Sequence, residues 1–383
     1  MMKTQFLAAA ALGAALLVSA CGGNKTYTID GVVEDPALEG AVVYKADRFS
    51  VTDLLADPAH ALPMDSTYVS DGKYRFSGQI ADADYCILSI GKNADGFSVG
   101  HATVVIEPGA HVRVVTDAAH KTCVSGTASN DLVQQNADAS QALQDRFMPL
   151  YERLRSEDSL SEEEKASLEK QIEEIRDQMQ EIDFQFVKNN INNPAAWEKL
   201  YNAAVLAGSL EKQKELIAGA EGRTKELKDY QAIVERIERL EKTAVGQPFV
   251  DIALEDPDGN PMHLSDYAGK GKCILVDFWA SWCGPCKAEM PNVVALYKQY
   301  KDKGFDIVSV SLDSHKDRWV KAIEEWGMPW HHMSDLKGWD CEGAALYAVT
   351  AIPHTVLLGP DGTILARNLT GDDLRAKLEE LLK

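Results

Sequence analysis

The sequence has few basic residues, few cysteines and no long apolar run, and each shortage excludes a class of protein. Its 383 residues contain 39 Lys and Arg against 59 Asp and Glu, a formal charge of −20. Nucleic-acid binding needs a basic face that releases counterions from phosphates, so we expect no nucleic-acid partner. Seven cysteines are too few for a disulfide-dense scaffold. With 45% apolar residues, a chain of this length is expected to fold into roughly two or three domains.

An apolar run at the N-terminus has the pattern of an export signal. Lys3 precedes apolar residues 6–18, and this run is shorter than the about 20 residues that a membrane-spanning helix needs. The stretch from Val18 to Cys21 resembles a bacterial lipobox, which implies a lipoprotein signal peptide over residues 1–20 and a lipidated Cys21. The alternative is an ordinary cleavable signal followed by a chance cysteine. Either signal predicts that the protein functions outside the cytoplasm, where disulfides persist.

Residues 21–129 are predicted to form a small, β-rich accessory domain. Short runs of alternating β-branched residues recur there, separated by turn residues. Asp71-Gly72 and residues 107–110 (EPGA) are predicted to close β-hairpins between neighbouring runs. The region contains no recognisable catalytic motif, so its role is not predicted. The predicted strands cover residues 27–33, 41–45, 66–69, 74–78, 85–90, 102–106 and 112–116.

Residues 130–245 are predicted to be helical. Leu168, Ile172 and Ile175 are spaced as on one face of a helix. Ser161 and Glu164 have the spacing of a capping box, which predicts a helix start after a turn and therefore an antiparallel helical hairpin. The apolar stripe would suit a dimerising coiled coil or the core of a helical hairpin. It covers too few heptads for a coiled coil, which favours the hairpin.

Residues 246–383 alternate between strand and helix patterns, as in an α/β domain. An apolar run predicts a strand over residues 273–278, and the sequence Cys-Gly-Pro-Cys follows it at the start of an amphipathic helix. Further strands are predicted over 305–311, 330–333 and 363–367, and helices over 316–326 and 372–382.

Cys283 and Cys286 are the predicted redox pair. A cysteine in the first turn of a helix faces backbone N–H groups and the positive end of the helix dipole, which lowers its pKa. Cys286 can then attack a mixed disulfide on Cys283 and release the reduced substrate. Gly284 and Pro285 shape this turn and are expected to leave the Cys283 sulfur exposed. Zinc would need a second ligand pair, which the other cysteines do not supply, so neither a metal nor a cofactor is predicted. The cysteines outside any motif are predicted to be buried free thiols: Cys86, Cys123, Cys273 and Cys341.

Asp277 is a predicted catalytic residue within the same strand. An ionised carboxylate is costly in an apolar setting, so burial raises the pKa of such a group. Asp277 could then exchange a proton with Cys286 near neutral pH. The alternative is a structural polar residue that its neighbours satisfy.

Residues 276–287 (VDFWASWCGPCK) resemble the thioredoxin active-site motif, and Ile352-Pro353 resembles the cis-proline loop of that fold. The hairpin predicted over 249–264 and the insert at 312–347 are similar to those of the TlpA/ResA-like periplasmic thiol-disulfide oxidoreductases. The resemblance implies a thioredoxin-like α/β domain over 246–383, preceded by the small all-β domain and the helical hairpin. Asp277 is a departure, because many of these periplasmic proteins lack an acid there.

The resemblance also implies which residues contact the substrate. Pro353 is expected to be cis and to face the sulfurs, which leaves the Ile352 backbone free to pair with an extended substrate segment. His354 is expected either to contact the substrate or to have a conformational role. The predicted substrate-binding residues are Trp282, Gly284, Pro285, Ile352, Pro353 and His354.

Together these features predict a membrane-anchored periplasmic enzyme that reduces disulfides in exported proteins. The uncharged Gly284-Pro285 turn stabilises a Cys283 thiolate only moderately, which favours a reductase over an isomerase or oxidase. In an oxidising compartment, the disulfide that each turnover leaves on the enzyme must be reduced again, which implies a membrane electron donor with its own cysteine pair. A thiol peroxidase is disfavoured, because Ala280 stands where such enzymes carry Thr or Ser. A non-enzymatic binding lipoprotein is disfavoured by the intact cysteine pair and Asp277.

Overall fold

A computed structural model describes residues 25–48, 64–91, 99–156 and 160–382. The predicted signal peptide over residues 1–20 and the predicted lipidation site, Cys21, lie outside the described residues. A first compact unit contains residues 25–47 and 64–134, and a second contains residues 135–382. Among the residues described, no helix combines the length and the apolar character that crossing a membrane requires.

The first unit contains two four-stranded sheets. Its strands are β1 Thr26–Val33, β2 Val42–Asp47, β3 Met64–Tyr68, β4 Lys73–Gln79, β5 Asp84–Ile90, β6 Gly100–Ile106, β7 His111–Thr116 and β8 Thr122–Ser125. The strand orders are β4-β1-β7-β8 and β3-β2-β5-β6. Alternate side chains such as Ile29, Leu88 and Val114 are fully buried in one apolar core, because successive residues of a strand point to opposite faces. The predicted β-rich character of this region is confirmed.

Both turns predicted to close hairpins connect strands that belong to different sheets. Asp71-Gly72 lies between β3 and β4, and residues 107–110 lie between β6 and β7, and each pair of strands is divided between the sheets. The hairpin prediction at residues 107–110 is therefore wrong. At Asp71-Gly72 the predicted turn is present, because Ser70 and Lys73 form an antiparallel bridge across it, but β3 and β4 separate into different sheets beyond that bridge. A turn only reverses the chain locally, whereas the buried face of each strand decides its partner. Strand β8 pairs antiparallel with β7, and its four residues are too short to show a clear alternating pattern.

An antiparallel helical hairpin begins the second unit's helical part. Its helices are α1 Ala128–Ser156, which starts in the first unit, and α2 Glu162–Asn190. Asn136 donates to Asp183 at 3.0 Å, and the Arg176 guanidinium lies 5.5 Å from the centre of the Phe147 ring. These contacts run in opposite directions along the two helices, as an antiparallel pair requires.

The start and the buried face of α2 agree with the sequence pattern. The Ser161 Oγ accepts a hydrogen bond from the Glu164 backbone, and the Glu164 carboxylate accepts one from the Ser161 backbone, so the predicted capping box is confirmed. Leu168, Ile172 and Ile175 are buried within the chain's own packing, which favours the helical hairpin over a coiled coil. The helices that follow are α3 Leu200–Leu206, α4 Leu210–Ile217 and α5 Lys228–Lys242.

The rest of the second unit is a thioredoxin-like α/β domain, as predicted. Its strands are β9 Ala253–Glu255, β10 Pro261–His263, β11 Cys273–Trp279, β12 Phe305–Ser311, β13 His331–Met333, β14 His354–Leu358 and β15 Ile364–Arg367. Its helices are α6 Gly284–Tyr300, α7 Lys316–Trp326, α8 Glu342–Leu346 and α9 Gly371–Leu381. The five-stranded sheet has the order β13-β12-β11-β14-β15, with β9 and β10 as a separate hairpin.

The central strand β11 delivers the cysteine motif. It pairs parallel with β12 and antiparallel with β14, and every residue of β11 and β12 is buried. Strands that are covered on both faces carry mostly apolar residues, and the polar side chains buried in these two, such as Asp277 and Ser309, hydrogen-bond to each other. The chain therefore leaves the C-terminal end of a buried central strand at Trp279 and enters α6 at Gly284.

Candidate active site

The redox pair lies at the N-terminus of α6. Cys283 is the N-cap of this 17-residue helix, and its sulfur accepts a hydrogen bond from the Cys286 backbone N–H at 3.1 Å. Cys283 and Cys286 form a disulfide. The sulfur of Cys283 thus faces the amide end of the helix, where partial positive charge stabilises a thiolate.

The two sulfurs are less accessible than the sequence suggests. Cys283 is 5% exposed and Cys286 1% exposed, so the expectation of an exposed Cys283 sulfur is wrong for the disulfide form. The adjacent Trp282 is 53% exposed, whereas the N-cap position turns the Cys283 side chain back toward the helix. Cys283 is the more accessible of the two cysteines.

Asp313 holds the loop that presents the motif. Its carboxylate accepts hydrogen bonds from the Ser281 backbone N–H at 2.9 Å and from the Ser281 hydroxyl at 2.5 Å. The Ser311 hydroxyl, at the end of β12, donates to the same carboxylate at 2.8 Å. Asp313 is a positioning residue that the motif does not reveal, because it lies 32 residues from Ser281 in sequence.

Asp277 lies behind the disulfide in a small crevice. The crevice is lined by Asp277, Cys286, Glu289, Pro353 and Thr355 among others, and its free volume is about 10 Å³. That volume is about what one water molecule requires. The predicted association of Asp277, Cys286 and Pro353 is thus present in one crevice, and a single water could connect their polar atoms.

Burial controls the ionisation of Asp277. The pKa of this carboxyl is raised to about 7, chiefly by removal from water; a hydrogen bond from Ser309 opposes the shift, and the nearby Glu289 charge adds to it. The Ser309 hydroxyl donates to Asp277 at 3.0 Å and accepts from the Trp330 indole N–H at 2.9 Å. A carboxyl that titrates near neutral pH can both accept and return a proton.

Glu289 is a further acidic residue of the crevice. Its carboxylate accepts hydrogen bonds from the Gly371 backbone at 2.8 Å and from the Asn292 amide at 2.9 Å. These bonds hold it at the crevice wall beside Cys286 and Asp277. The signal in the sequence is its spacing, because a residue three positions after Cys286 lies on the same helix face.

The Ile352-Pro353 peptide is cis, as predicted, and Pro353 lines the crevice. Among the residues that the structure describes, the backbone groups of Thr350, Ala351 and Ile352 take part in no hydrogen bond. A short row of unpaired N–H and C=O groups is a place where an extended peptide can add as a strand.

His354 faces an arginine next to the cis-proline loop. Its Nε2 accepts a hydrogen bond from Arg367 at 3.1 Å, and its ring packs edge-on against Phe278. Burial lowers the pKa of His354 to about 3, and the charges of Arg367 and Arg236 contribute. These contacts favour the conformational role for His354, and its contact with substrate stays a prediction.

The cysteines outside the motif lie in mixed environments. Cys86, Cys273 and Cys341 are buried, as predicted, but Cys123 is exposed and that prediction is wrong. Cys123 lies on β8, where its side chain points away from the core while the next residue, Val124, is buried. In the described part of the chain, no cluster of three or more His, Cys, Asp or Glu residues could hold a metal ion.

Two family models match separate regions of the chain. Residues 245–367 match the AhpC/TSA family, and residues 27–133 match a domain of unknown function, DUF4369. A relative named thiol-disulfide oxidoreductase ResA, from Oceanobacillus iheyensis, is 38% identical over 144 residues, which cover 36% of this chain and 72% of the relative. A relative of the same name from Bacillus cereus is 29% identical over 168 residues, 44% of this chain and 90% of the relative.

Two solved structures are similar over the same region. One is the thioredoxin domain of a thiol-disulfide oxidoreductase from Bacteroides vulgatus, 37% identical, covering 37% of this chain and 99% of that chain with a TM-score of 0.34. Another is a thiol-disulfide oxidoreductase from Bacteroides fragilis, 34% identical, covering 36% of this chain and 100% of that chain with a TM-score of 0.34.

Proposed function

The chain belongs to the family of thiol-disulfide oxidoreductases that includes ResA, and on this premise we propose that it is a reductase of disulfides in exported proteins. One observation carries the proposed direction. The Cys283 sulfur accepts one backbone hydrogen bond, from Cys286, and the intervening Gly284-Pro285 adds no charge. A thiolate with such modest stabilisation favours a reducing rather than a strongly oxidising pair.

The reaction transfers two electrons from the enzyme dithiol to the substrate disulfide. The Cys283 thiolate attacks one substrate sulfur, a mixed disulfide forms, and the other substrate sulfur leaves as a thiolate that takes a proton. Cys286 loses its proton to Asp277 and attacks the Cys283 sulfur, which expels the second substrate sulfur as a thiolate that takes a proton in turn. The enzyme is left as the Cys283–Cys286 disulfide. A membrane electron donor with its own cysteine pair then returns two electrons by the reverse exchange.

Disulfide reduction and peroxide reduction can be separated directly. A thiol peroxidase would use a hydroxyl three residues before its nucleophile, and Ala280, whose carbonyl accepts from the Cys283 N–H at 3.1 Å, offers none. We expect the reduced protein to precipitate insulin through reduction of its disulfides and to consume hydrogen peroxide no faster than a Cys283→Ser variant does. Rapid peroxide consumption without insulin reduction would contradict the proposal.

We also propose that the protein works outside the cytoplasm, attached to a membrane through lipidated Cys21. The support is the sequence from Val18 to Cys21, since several acyl chains at about 0.8 kcal/mol per buried CH₂ hold a protein firmly. We expect a Cys21→Ala variant to leave the membrane fraction or to remain unprocessed. Recovery of the wild-type protein in the soluble fraction without detergent would contradict the anchor.

A further inference from the structure

Residues 350–352, which we call the pairing segment, are held in place only through the residues on their two sides. Among the residues described, the segment's own backbone groups form no hydrogen bond. On one side it follows Ala348 and Val349, and on the other it leads through Pro353 to His354, the first residue of β14. The position of the segment therefore depends on what fixes Ala348 and His354.

Ala348 has a left-handed backbone conformation at the end of α8. Its φ is 53°, which is uncommon for a residue with a β-carbon, so the surrounding contacts must maintain it. The N–H groups of Ala348 and Val349 bond back to α8. The Ala348 carbonyl accepts a hydrogen bond from Arg236 Nη1 of α5 at 2.6 Å. This bond fixes the last peptide group but one before the pairing segment, and its donor comes from the helical part of the second unit.

Arg367 joins α5 to both sides of the pairing segment. Its Nη2 donates to the Tyr347 carbonyl at 2.6 Å, before the segment, and to His354 Nε2 at 3.1 Å, after it. Its Nη1 donates to the carbonyl and the hydroxyl of Thr243, at 2.9 and 2.6 Å. Thr243 is the C-cap of α5. One helix thus reaches the segment through two arginines.

Both arginines place a partly buried charge on neutral groups. Burial lowers the pKa of Arg236 and of Arg367, and the Arg236 charge lowers the pKa of Arg367 further. A buried cation without a counter-ion costs stability, whereas charge-assisted hydrogen bonds to carbonyl oxygens are strong and directional. An arrangement that costs stability and fixes one short segment beside the cysteines is typical of a functional site.

We propose that α5 positions the pairing segment for polypeptide substrates, with Arg236 as the positioning residue that acts through Ala348. The inference rests on the proposed function and gives the helical part of the second unit a role in it. A substrate chain that pairs with residues 350–352 needs their N–H and C=O groups at fixed places. A small disulfide reaches Cys283 without such pairing. Loss of the Arg236 contact therefore slows the reduction of polypeptides and leaves that of small disulfides unchanged.

Single-turnover kinetics with three disulfides tests the proposal. The first is a ten-residue peptide that carries its one cysteine as a 2-pyridyl disulfide, the second is the same peptide with N-methyl groups on the residues beside the cysteine, and the third is the 2-pyridyl disulfide of mercaptoethanol. Attack of the Cys283 thiolate on the alkyl sulfur breaks the S–S bond and releases 2-thiopyridone, which is followed by absorbance. N-methylation removes backbone donors, so we expect the unmethylated peptide to react about tenfold faster than the methylated one.

Variants of α5 separate the positioning contact from the rest of the helix. Arg236→Gln should reduce the ratio of the two peptide rates to less than about threefold and keep the mercaptoethanol disulfide within about twofold of its wild-type rate. Arg236→Lys can still donate to the Ala348 carbonyl and should give an intermediate ratio, and it repeats the comparison if Arg236→Gln does not fold. Arg239→Gln is the matched control, because this exposed residue lies one turn further along α5 and pairs with Glu235. An unchanged ratio in Arg236→Gln, or an equal loss of rate for all three disulfides, would overturn the proposal.

Binding measured without chemistry distinguishes this inference from the proposed function. The two peptides with Ser in place of Cys are titrated into the full protein, and fluorescence anisotropy of a peptide label gives each Kd. Tighter binding of the unmethylated peptide that Arg236→Gln abolishes would support the positioning role even if the cysteine pair had the potential of an isomerase, a result that contradicts only the reductase. Equal Kd values for the two peptides with the wild-type protein would overturn the inference even if insulin were reduced.

Discussion

The first unit and the redox domain both bury polar side chains, but they differ in how fully these side chains are hydrogen-bonded. In the first unit, fully buried Asn130 accepts from the Val105 N–H at 2.9 Å and donates to the Val105 carbonyl at 2.8 Å. In the redox domain, buried Asp277 receives a hydrogen bond from Ser309 and, among the described residues, no cation pairs with it. A buried polar group whose hydrogen bonds are all made contributes to stability, whereas a buried carboxyl with few partners lowers it. The same lack of partners lets Asp277 keep its proton up to about pH 7. This difference identifies the part of the molecule that carries chemistry.

The largest expected effect separates the cysteines of the two regions. Cys283→Ser should abolish disulfide reduction, because no thiolate remains to attack, whereas Cys123→Ser, at an exposed position on β8, should retain full activity. Cys286→Ser should permit the first attack and accumulate mixed disulfides, because only Cys286 resolves them. Non-reducing gel electrophoresis after mixing with substrate measures the trapped species. Equal trapping by the Cys283→Ser and Cys286→Ser variants would contradict the assigned order of attack.

The next effect is on the pH dependence of stability. The pKa of Asp277 is raised to about 7 in the folded protein, so folded Asp277 holds its proton where the unfolded chain has lost it, and stability falls as pH rises from about 4 to 7. Asp277→Asn removes this loss and should be more stable than wild type by up to about 4 kcal/mol at pH 8. The difference should vanish near pH 4.

Urea unfolding at pH 4, 6 and 8 measures this effect through tryptophan fluorescence. All seven tryptophans lie in the second unit, so the signal reports the unit that contains Asp277. A stability difference between Asp277→Asn and wild type that is the same at all three pH values would show that Asp277 does not titrate as described.

Asp277→Asn should also slow the second step of catalysis, because an amide cannot accept the proton of Cys286. We expect the release of reduced substrate from the mixed disulfide to slow on the order of 10²-fold, the usual contribution of a positioned base. In the wild-type protein this rate should rise between pH 6 and 8 with a midpoint near 7. Stopped-flow measurement of resolution tests both expectations, and a rate that does not vary from pH 6 to 9 would count against the role.

The smallest expected effect is the loss of a buried hydrogen-bonded side chain in the first unit. Asn130→Ala removes both hydrogen bonds to Val105 and should destabilise the first unit by about 1–3 kcal/mol, with specific activity unchanged. Faster amide hydrogen exchange in β6, Gly100–Ile106, measures the loss. Reduced activity in this variant would show that the two regions are not energetically separate in function.

The sequence predicts local features well and long-range partners poorly. The capping box at Ser161 and the strand before Cys283 are set by neighbouring residues, and both are confirmed. The cis peptide at Pro353 is implied by the family resemblance, and it is confirmed as well. The bonds of Asp313 to Ser281 and of Arg236 to Ala348 join residues that are 32 and 112 positions apart. No local pattern reveals such partners, because tertiary packing brings them together.

Two wrong predictions have the same cause. Residues 107–110 have the composition of a hairpin turn, but β6 and β7 on their two sides belong to different sheets. Cys123 has the composition of a buried thiol, but the strand alternation directs it outward and Val124 inward. Turn chemistry and residue type describe a local preference, and the buried face of the sheet overrides it.

The reduction potential of the Cys283–Cys286 pair tests the central claim most directly. The full-length protein is equilibrated with glutathione and dithiothreitol redox buffers, and free thiols are quantified after alkylation. The uncharged turn and the single backbone hydrogen bond on Cys283 predict a potential near that of thioredoxin, about −270 mV. A value above about −180 mV, the range of disulfide isomerases, would contradict the reductase and favour an isomerase or oxidase.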